Sequence, residues 1–573
     1  MARAGSAYPQ VDVDASQLIT ATVTTCDPRA STARALAACR RSGGRAVVPG
    51  PGRVVREADL ARAAGWRLGA LPAAALAWTG VPVVRAVSSE IDVRRLFLAG
   101  APMVLVRDGH RPFGLIEREG VALVEREASL AARIEHQGSR DGDARAWLLR
   151  MAGKVGEGLG MATFAVGGVV RDLLRGQPAP DVDVVVEGDG IAFARRLLDE
   201  VGGAIVVHPG FGTASIEGAR SDGTALPRID VASARSERYE RPGALPRVAP
   251  AGLAQDLARR DFTINAMAIA LSPSAFGTLV DPYGGRRDLE RRLLRPLHPL
   301  SFVEDPTRVL RGARYAARLG ARLAPEGRRA LALACRVARY PALSGQRIRA
   351  EIALLAREPR AAAAFDRALA WGAMALWHPA LRSRRGLGAR LRASARFAGL
   401  LRGAGLDLDP GDGALIALLI GNRPRVVGAA LDRLAIAGAP RRDLLASARG
   451  AALAARVARA ARPSAVDHLL ARRPALVLAG AWIGGSRTAR RRIAWHLREG
   501  RSVRPALSGA DLIALGVPRG PAVGACLDRL RSSRLDGEIR SAAQEREQVR
   551  RWIGHPRSTE HPRGERIRDG KEA

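Results

Sequence analysis

Residues 164–188, FAVGGVVRDLLRGQPAPDVDVVVEG, constrain the fold of this chain of 573 residues more than any other segment. An apolar run typical of a strand ends at Gly167 and Gly168, and a helical pattern follows. Glycines at such a turn let backbone amides approach a bound phosphate, and the helix N-terminus attracts its negative charge. Asp181 and Asp183 then alternate along a second apolar run, so we expect both carboxylates to project from one face of a strand.

The chemistry that suits this segment is nucleotidyl transfer from a triphosphate. Two converging carboxylates can hold two Mg²⁺ ions, which clamp an in-line displacement at phosphorus. We therefore predict Asp181 and Asp183 as catalytic metal ligands, and Gly167, Gly168 and Arg171 as contacts to the triphosphate. The alternative is a strand edge with two solvated acids, and the glycine pair thirteen residues ahead of the acids argues against it.

The chain is strongly basic, since Lys and Arg number 91 and Asp and Glu 56, which gives a formal net charge of +35. A charge of this size favours an anionic partner, with nucleic acid as the first candidate. Only Lys154 and Lys571 are lysine, and this preference for arginine is typical of a GC-rich genome. Aromatic residues make up 4%, which argues against an aromatic platform for stacking single strands.

The cysteines and the apolar runs bear on the cellular compartment. Four cysteines lie far apart without a CxxC pair, so neither a zinc site nor a disulfide framework is predicted. The first residues lack the apolar core of a signal peptide, and no apolar run reaches about 18 residues. We therefore expect a soluble, cytoplasmic protein with no membrane partner.

Hydrophobic periodicity predicts a multidomain protein of α/β and all-α parts. Its predicted segments are an α/β repeat pair (12–126), a helical connector (127–160), an α/β catalytic head with a mixed sheet and helices (161–297), a helical neck (298–360), a helical body that binds RNA (361–500), a tail domain that binds RNA (501–553) and a disordered tail (554–573). In the first segment, the order strand, helix, hairpin and helix occurs twice, beginning at LITATVTTC and again at VPVVRAVSS. This repeat resembles a tandem CBS-domain pair, which implies a structural, dimerising or nucleotide-binding module.

Three further motifs follow the glycine turn in order: RRDFTINAMA (259–268), DPYGGRRDLERRLLRP (281–296) and LSFVEDPTRVLRGARYAARLG (300–320). Together with the first segment they resemble the class II tRNA nucleotidyltransferases and the bacterial poly(A) polymerases, which belong to the nucleotidyltransferase superfamily. The resemblance implies that Arg260 contacts the triphosphate and that Asp261 with Asn265 recognises the ribose hydroxyls.

Local patterns around these motifs predict further details. A helix is expected to begin at 259–261 and to contain Asn265, and Asp288 is expected to cap the helix that follows the Gly-Gly turn of the second motif. The resemblance makes Asp230, in PRIDVASARSERY, the candidate third carboxylate. An acid at a strand end, paired with Arg235, is the alternative for this position.

Four arginines lie at helical spacing in the third motif: Arg308, Arg311, Arg314 and Arg318. They share one face, where like charges repel by a few tenths of a kcal/mol per pair, and a bound anion would offset that repulsion. Asp305, which precedes Pro306, is expected to be the N-cap of this helix.

The resemblance also implies how the incoming base is chosen. Asp305 and Arg308 would hydrogen-bond the Watson–Crick edge of the base, Arg311 and Arg314 would support that pair or contact the nucleotide, and Glu304 would hold Arg308 in place. Aspartate accepts from an exocyclic amine and arginine donates to ring acceptors, so the pair can accept C or A and refuse U or G. The protein, rather than a nucleic acid, would then act as the template.

Residues 507–537 resemble the tail motif of tRNA nucleotidyltransferases, a helix pair punctuated by glycines. Gly516, Gly520 and Gly524 would let the backbone approach an RNA phosphate, and a tight helical corner is an equal alternative. The motif favours a tRNA enzyme, because bacterial poly(A) polymerases generally end differently.

The sequence therefore predicts an enzyme that uses Mg²⁺ and adds C and/or A nucleotides from CTP and ATP to the 3′ end of tRNA. The enzymatic alternatives are an A-adding enzyme that completes ends begun by a separate C-adding enzyme, and a poly(A) polymerase that acts on general RNA. A nucleotide-sensing, RNA-binding protein built on the CBS-like pair is the non-enzymatic alternative, and the intact pair of Asp181 and Asp183 argues against it. The predicted partners are tRNA and nucleoside triphosphates, with a homodimer through the CBS-like pair as a further possibility.

Overall fold

The computed structural model describes residues 13–118, 124–125, 130–134, 144–177, 181–218, 226–337, 340–379, 381 and 386–554. The chain divides into two compact units, of which residues 1–351 with 358–382 form the first and residues 352–357 with 383–573 the second. The predicted disordered tail lies outside the described residues, apart from Gly554 at the end of a helix.

Residues 13–118, the N-terminal module, fold as one sheet with three helices. Their elements are β1 (Ala21–Thr25), α1 (Thr32–Arg41), β2 (Ala46–Gly50), β3 (Arg53–Arg56), α2 (Glu57–Gly65), β4 (Trp78–Thr79), β5 (Val83–Arg85), α3 (Glu90–Leu98), β6 (Met103–Asp108) and β7 (Arg111–Glu117). The strand order is β4-β3-β2-β1-β7-β6-β5, and the order strand, helix, hairpin occurs twice, as β1-α1-β2-β3 and β5-α3-β6-β7. Ser31 and Ser89 accept a backbone N–H at the starts of α1 and α3, which fixes where both helices begin.

The head follows with a mixed sheet of eight strands. Its elements are β8 (Val124–Glu125), α4 (Ala144–Gly158), β9 (Thr163–Val166), α5 (Gly168–Leu174), β10 (Asp181–Val186), α6 (Gly190–Val201), β11 (Ala204–His208), β12 (Thr213–Glu217), β13 (Arg228–Ser233), β14 (Arg235–Arg238), β15 (Arg247–Pro250), α7 (Leu253–Ala258), β16 (Ala268–Ala270), β17 (Leu279–Val280), α8 (Gly285–Glu290) and β18 (Leu293–Leu294). The sheet order is β11-β12-β13-β10-β9-β16-β17-β8. Strands β10 and β13 are parallel and the other neighbours antiparallel, so the mixed sheet predicted for the head is confirmed. Strand β8 pairs with β17, although it lies within the segment 12–126.

The alternation of strand β10 sets the orientation of its acids. Val182, Val184 and Val186 are buried in the main core of the head, beside Phe193 of α6. Successive side chains of a strand point to opposite faces, so the aspartates of β10, which alternate with these valines, face away from that core. The burial of three valines therefore holds the predicted metal ligands on the opposite side of the sheet.

The rest of the described chain is almost entirely helical, as predicted. Its elements are α9 (Ser301–Glu304), α10 (Thr307–Leu319), β19 (Arg322–Leu323), α11 (Pro325–Val337), α12 (Gly345–Ala356), α13 (Ala361–Ala370), α14 (Leu387–Arg402), α15 (Pro410–Leu419), α16 (Pro424–Arg433), α17 (Gly438–Ala448), α18 (Gly450–Arg459), α19 (Pro463–Leu470), α20 (Ala475–Gly484), α21 (Arg487–Arg498), α22 (Gly509–Ala514), α23 (Pro521–Leu535) and α24 (Ala542–Gly554). The apolar helices α15 and α20 are buried over most of their length. Across the described ranges, no helix has the length and apolar character needed to cross a membrane.

Candidate active site

The glycine turn joins β9 to α5 where the sequence predicts it. Gly167 has φ +70° and ψ −122°, a conformation that residues with a Cβ rarely adopt. A Cβ on Gly167 would also lie 2.9 Å from Nη1 of Arg260 and 3.7 Å from Oδ2 of Asp183. Glycine is therefore required both by the backbone and by the close approach of two side chains predicted to act in the site.

The predicted carboxylates lie on the adjacent parallel strands β10 and β13, where Asp183 pairs in register with Asp230. Neither Asp181 nor Asp183 accepts a side-chain hydrogen bond from a described residue. The pKa of Asp183 is raised to about 6, because burial and the nearby charges of Asp230 and Asp181 outweigh the attraction of Arg260. Two carboxylates on one face of a strand, without side-chain hydrogen-bond partners among the described residues, suit a hard divalent cation such as Mg²⁺, and no cluster of three possible metal ligands occurs in the described part of the chain.

Asp230 differs from the other two carboxylates because it has protein partners. Its Oδ1 accepts from the Ser215 hydroxyl at 2.5 Å and from Nε of Arg228 at 3.1 Å. The expected alternative partner, Arg235, instead donates to Glu237 and to the carbonyl of Phe211. Asp230 is thus neutralised by a neighbour on its own strand.

Arg171, predicted to contact phosphate, is buried and held by protein groups. Its Nε and Nη2 donate to the carboxylate of Asp172 at 3.0 and 2.7 Å, and its Nη1 donates to Oδ1 of Asn265 at 2.9 Å. Arg171 therefore fixes the orientation of the Asn265 amide, a role that the sequence analysis did not assign.

The prediction of a helix that begins at 259–261 and contains Asn265 is wrong. Helix α7 ends at Ala258, Phe262 is extended, and only a single 3₁₀ turn, Thr263–Asn265, follows. Oδ1 of Asp261 accepts from the backbone N–H of Phe262 at 2.8 Å and from Nδ2 of Asn265 at 3.0 Å. A side chain that binds the backbone locally competes with helix formation, and here it also couples Asp261 to Asn265.

The buried carboxylate of Asp256, one turn before the Arg-Arg-Asp motif, orients both arginines of that motif. It accepts from Arg259 Nη2 at 2.6 Å and from Arg260 Nη2 at 2.8 Å. Burial opposes ionisation of Asp256, but the charges of Arg260 and Arg259 outweigh it and lower its pKa. The spacing of three and four residues from an acid to two arginines is a helical signal that could have revealed this support.

The motif after the Gly-Gly turn differs from the expectation in one residue. Asp281, not Asp288, caps α8, since its oxygens accept from the backbone N–H groups of Gly285 at 2.7 Å and Arg286 at 3.0 Å. Asp288 lies inside α8 and accepts from the Thr263 hydroxyl at 2.7 Å. The predicted cap is therefore wrong, and Asp288 instead ties α8 to the 3₁₀ turn that carries Asn265.

Every arginine of the predicted basic face of α10 has a carboxylate partner. The pairs are Arg308 with Glu304 at 3.4 Å, Arg311 with Asp305 at 3.2 Å, and Arg314 and Arg318 with Glu358 at 3.9 and 2.5 Å. Arg311 also lies 3.7 Å from Asp261 and 3.8 Å from Glu351. Protein carboxylates thus offset the repulsion for which the sequence analysis invoked a bound anion.

Asp305 lies two residues before α10 and Arg308 is the second residue of that helix, and both side chains are buried. The N-cap of α10 is Pro306 and not the predicted Asp305. Oδ1 of Asp305 accepts from the backbone N–H of Thr307, the first residue of α10, at 3.0 Å and from Arg347 Nη2 at 2.7 Å. Arg308 is 2% exposed, and it donates to the Ser301 hydroxyl at 2.8 Å and to the Arg259 carbonyl at 2.9 Å. Its Nε has no partner among the described residues.

A single cavity of about 560 Å³ brings most of these residues together. The predicted residues that line it are Gly167, Gly168, Arg171, Asp183, Arg260, Asp261, Asn265, Asp305, Arg308, Arg311 and Arg314. Asp181 and Asp230 are not part of its lining. Arg318, the last arginine of the predicted basic face, also lines it, and the sequence analysis missed further lining residues, among them Glu237, Tyr239, Tyr315 and Arg347. A cavity of this size suits one nucleotide.

The glycines predicted in the tail lie in the second unit. Gly516 and Gly520 have φ values of +101° and +107°, and Gly520 directly precedes the first residue of α23. Gly524 lies inside α23, where an added Cβ would meet only open space. Conformation therefore requires glycine at the first two positions and not at the third.

Comparisons with known proteins agree with this geometry. Residues 163–295 match the family model of the poly(A) polymerase head domain. The A-adding tRNA nucleotidyltransferases of Geobacter sulfurreducens and Halalkalibacterium halodurans are 45% and 44% identical over 234 and 223 residues. These alignments cover 41% and 38% of this chain but only 26% and 51% of the relatives, so the chain spans about a quarter to a half of their length.

Solved structures similar to this chain include a Thermotoga maritima CCA-adding enzyme complexed with tRNA, with a TM-score of 0.59, 27% identity, and coverage of 73% of this chain and 98% of that one. Complexes of a CCA-adding enzyme with ATP and with CTP give TM-scores of 0.61 and 0.60 at 27% and 26% identity, and they cover 73% and 74% of this chain and 98% and 99% of theirs. The CC-adding tRNA nucleotidyltransferase of Deinococcus radiodurans is 36% identical over 418 residues, which are 72% of this chain and 96% of that protein. The chain therefore belongs to the tRNA nucleotidyltransferase family.

Proposed function

We propose that this protein adds C and/or A nucleotides to the 3′ end of tRNA, taking them from CTP and ATP and releasing pyrophosphate. The observation that carries the proposal is the cavity in which a glycine turn, an unpaired carboxylate of β10 and the arginine face of α10 meet. The family membership and the tRNA, ATP and CTP complexes of similar structures support it.

The residues of β10 and the glycine turn would carry the transfer step. Asp181 and Asp183 would hold Mg²⁺, which when bound activates the tRNA 3′-hydroxyl and neutralises the triphosphate. The hydroxyl attacks the α-phosphorus, a new phosphodiester bond forms, and the bond to pyrophosphate breaks. Backbone amides at Gly167 and Gly168 and the guanidinium of Arg260 would bind the triphosphate.

Asp261 and Asn265 would bind the ribose hydroxyls. Oδ2 of Asp261 lies 3.7 Å from Nε of Arg311, while Oδ1 is engaged by Phe262 and Asn265. A carboxylate that accepts from the 2′-hydroxyl distinguishes a ribonucleotide from a deoxyribonucleotide. Arg171 would keep the Asn265 amide in the orientation that this contact needs.

Base selection would use the remaining hydrogen-bonding capacity of Asp305 and Arg308. Oδ2 of Asp305 has Arg311 as its hydrogen-bond partner, and Nε of Arg308 has none among the described residues. One acceptor and one donor match the exocyclic amine and the ring nitrogen that C and A share, whereas U and G present a carbonyl and a ring N–H there. Arg311 and Arg314 would support this pair, and tRNA would bind along the helices of the body and tail through phosphate contacts.

The N-terminal module would be a CBS-like pair through which two chains associate. The repeated order of its strands and helices supports the assignment as a CBS-like pair. The exposure of Val83 on the edge strand β5, of Val87 just after it and of Ile91 in α3 supports the association of two chains. An Ile91→Arg variant should then lower the molar mass measured by light scattering, and an unchanged mass would count against the dimer.

A second candidate is an A-adding activity alone, because two of the relatives bear that name. Purified protein should be offered tRNA ending before the terminal triplet, after one C or after CC, with labelled CTP, ATP or both. Ordered addition of three nucleotides indicates CCA synthesis, and a single A on the CC end indicates the A-adding activity. Long A tracts on unrelated RNA would instead indicate a poly(A) polymerase.

Asp181→Asn tests the assignment of the reacting centre, and Asp189→Asn is its control. Asp189 lies three residues after the end of β10, where its carboxylate accepts from the backbone N–H groups of Ile191 and Ala192 and so caps α6, whereas Asp181 has no such partner among the described residues. Asp181→Asn should abolish incorporation and leave ATP binding measurable, whereas Asp189→Asn should retain incorporation. Full incorporation by Asp181→Asn would show that the metal site has been placed wrongly.

A further inference from the structure

Two side chains four residues apart, on or directly after helix α2 of the N-terminal module, contact the head and the neck. Nη1 of Arg62 lies 3.5 Å from Oε1 of Glu304 and 3.2 Å from Nδ1 of His298. Trp66, which directly follows α2, donates its Nε1–H to the carbonyl of Tyr239 at 3.3 Å. Residues four apart share one helix face, so both contacts come from the same side of the module.

The protons of this contact can be assigned from donor capacity. A guanidinium only donates, so Nδ1 of His298 must accept from Arg62. The proton of the neutral imidazole then lies on Nε2, which donates to Oε2 of Glu304 at 3.0 Å. Arg62 and His298 together fix both oxygens of the buried Glu304 carboxylate.

Both contacts of the module end on supports of Arg308. Oε2 of Glu304 lies 3.4 Å from Nη1 of Arg308. The ring of Tyr239, whose carbonyl accepts from Trp66, lies 6.0 Å from Cζ of the same guanidinium. The described contacts thus form two continuous routes from α2 to the side chain proposed to read the base.

We propose that Arg62 is a positioning residue for Arg308, through which the N-terminal module takes part in choosing the nucleotide. This inference rests on the proposed function, in which Arg308 contacts the incoming base. Arg62 itself touches neither the nucleotide cavity nor the reacting atoms, since it is absent from the lining of that cavity.

The surroundings of Glu304 show why its position depends on Arg62. A second cavity of about 750 Å³ lies between α2 and the head, and Arg62, Trp66, Tyr239 and Glu304 all line it. Without the guanidinium, Oε1 of Glu304 loses its partner, and the carboxylate, then held only through Oε2 by His298, has room in this cavity to turn away from Arg308. Loss of Arg62 should therefore weaken base selection and leave triphosphate binding intact, because neither the glycine turn nor Arg260 lines the cavity beside α2.

The test compares Arg62→Met with Arg40→Met in the full-length protein. Methionine keeps an unbranched apolar stem and removes the charge. Arg40 belongs to the same module, and its ion pair with Glu57 at 3.1 Å is largely exposed. Competition binding without RNA measures the preference for CTP and ATP over UTP and GTP, and inorganic tripolyphosphate measures phosphate binding alone.

Arg62→Met should lower the nucleotide preference about tenfold and leave tripolyphosphate affinity within twofold of wild type. Arg62→Lys, whose ammonium can still pair with Glu304, should keep the preference within about threefold of wild type. Arg40→Met should match wild type in both measurements. The inference is overturned if Arg62→Met and Arg62→Lys both keep the preference of Arg40→Met, or if tripolyphosphate affinity falls in parallel with nucleotide affinity.

The same experiment separates this inference from the proposed function. A wild-type protein that binds CTP and ATP selectively but adds nothing to tRNA would refute the proposed function and still allow the comparison of Arg62 variants. A wild-type protein that extends tRNA with C or A, together with an Arg62→Met variant of unchanged preference, would refute only the inference.

Discussion

Replacement of Glu358 by glutamine tests whether carboxylates hold the arginine face of α10. The Glu358 side chain is 2% exposed and accepts from Nε and Nη2 of Arg318, and it lies 3.9 Å from Nη1 of Arg314. Glutamine keeps the shape of the side chain and removes its charge. The two arginines, four residues apart on one face, then face each other without a shared counter-charge.

The expected cost follows from burial. Removal of one partner from a buried ion pair destabilises by about 3–5 kcal/mol. Water can take over part of the solvation of Arg318, which is 38% exposed, so we expect a local loss of about 2 kcal/mol. A difference of that size changes an opening equilibrium about 30-fold.

Amide hydrogen exchange followed by mass spectrometry measures this change in the peptide that spans α10. Glu358→Gln should accelerate exchange there about 30-fold, because the helix opens more often. Glu290→Gln is the matched control, since Glu290 is 63% exposed and pairs with Arg286 at the surface, where such pairs contribute little. Acceleration of less than about threefold in Glu358→Gln would refute the view that this carboxylate stabilises the arginine face.

Three further results are expected. Gly167→Ala should reduce the ATP affinity measured by calorimetry more than tenfold. A positive φ costs alanine about 1–2 kcal/mol, and the new methyl group would displace Arg260. An unchanged affinity would contradict this. The pKa of Glu304 is lowered to about 2, because its interaction with His298, which donates a hydrogen bond to it, and the charges of Arg308 and Arg62 outweigh its burial. The ionised Glu304 carboxylate therefore stabilises the fold above its ordinary pKa of 4.5, and this stabilisation is lost as the pH falls toward 2. In urea unfolding at pH 7, Glu304→Gln should be less stable than wild type by up to about 3 kcal/mol. The difference should be about 2 kcal/mol smaller at pH 3, and a difference that stays constant with pH would exclude this origin. Affinity for tRNA should fall by orders of magnitude between about 50 and 200 mM salt in filter binding, and a flat salt response would argue against phosphate contacts.

The local patterns of the sequence predicted the scaffold of the site well. The glycine turn needs a residue without a Cβ, and a strand fixes which residues share a face, so Gly167, Asp181 and Asp183 could be placed from spacing alone. The prediction of the cap of α8 was wrong because two aspartates flank the turn, and only the structure shows that Asp281 reaches the free N–H groups.

The charge partners of the site could not be predicted in the same way. Glu358 lies 40 residues after Arg318 in sequence, and Glu237 lies 22 residues before Arg259, so no local period links either pair. The contact of Arg62 with Glu304 joins residues of two predicted segments. Such pairs depend on tertiary packing. The sequence therefore shows an arginine face that resembles an anion site, and only the structure shows that protein carboxylates largely neutralise it.

The central claim, that protein side chains select the nucleotide and that tRNA is its acceptor, is tested most directly by single-nucleotide extension. CTP, ATP, UTP and GTP are offered one at a time to tRNA that lacks all or part of its terminal triplet and to an unstructured RNA with the same 3′ nucleotides. Extension should occur by C or A on tRNA, with U and G added at least about a hundredfold more slowly, a discrimination of roughly 3 kcal/mol. Equal use of all four nucleotides, or equal extension of the unstructured RNA, would contradict it.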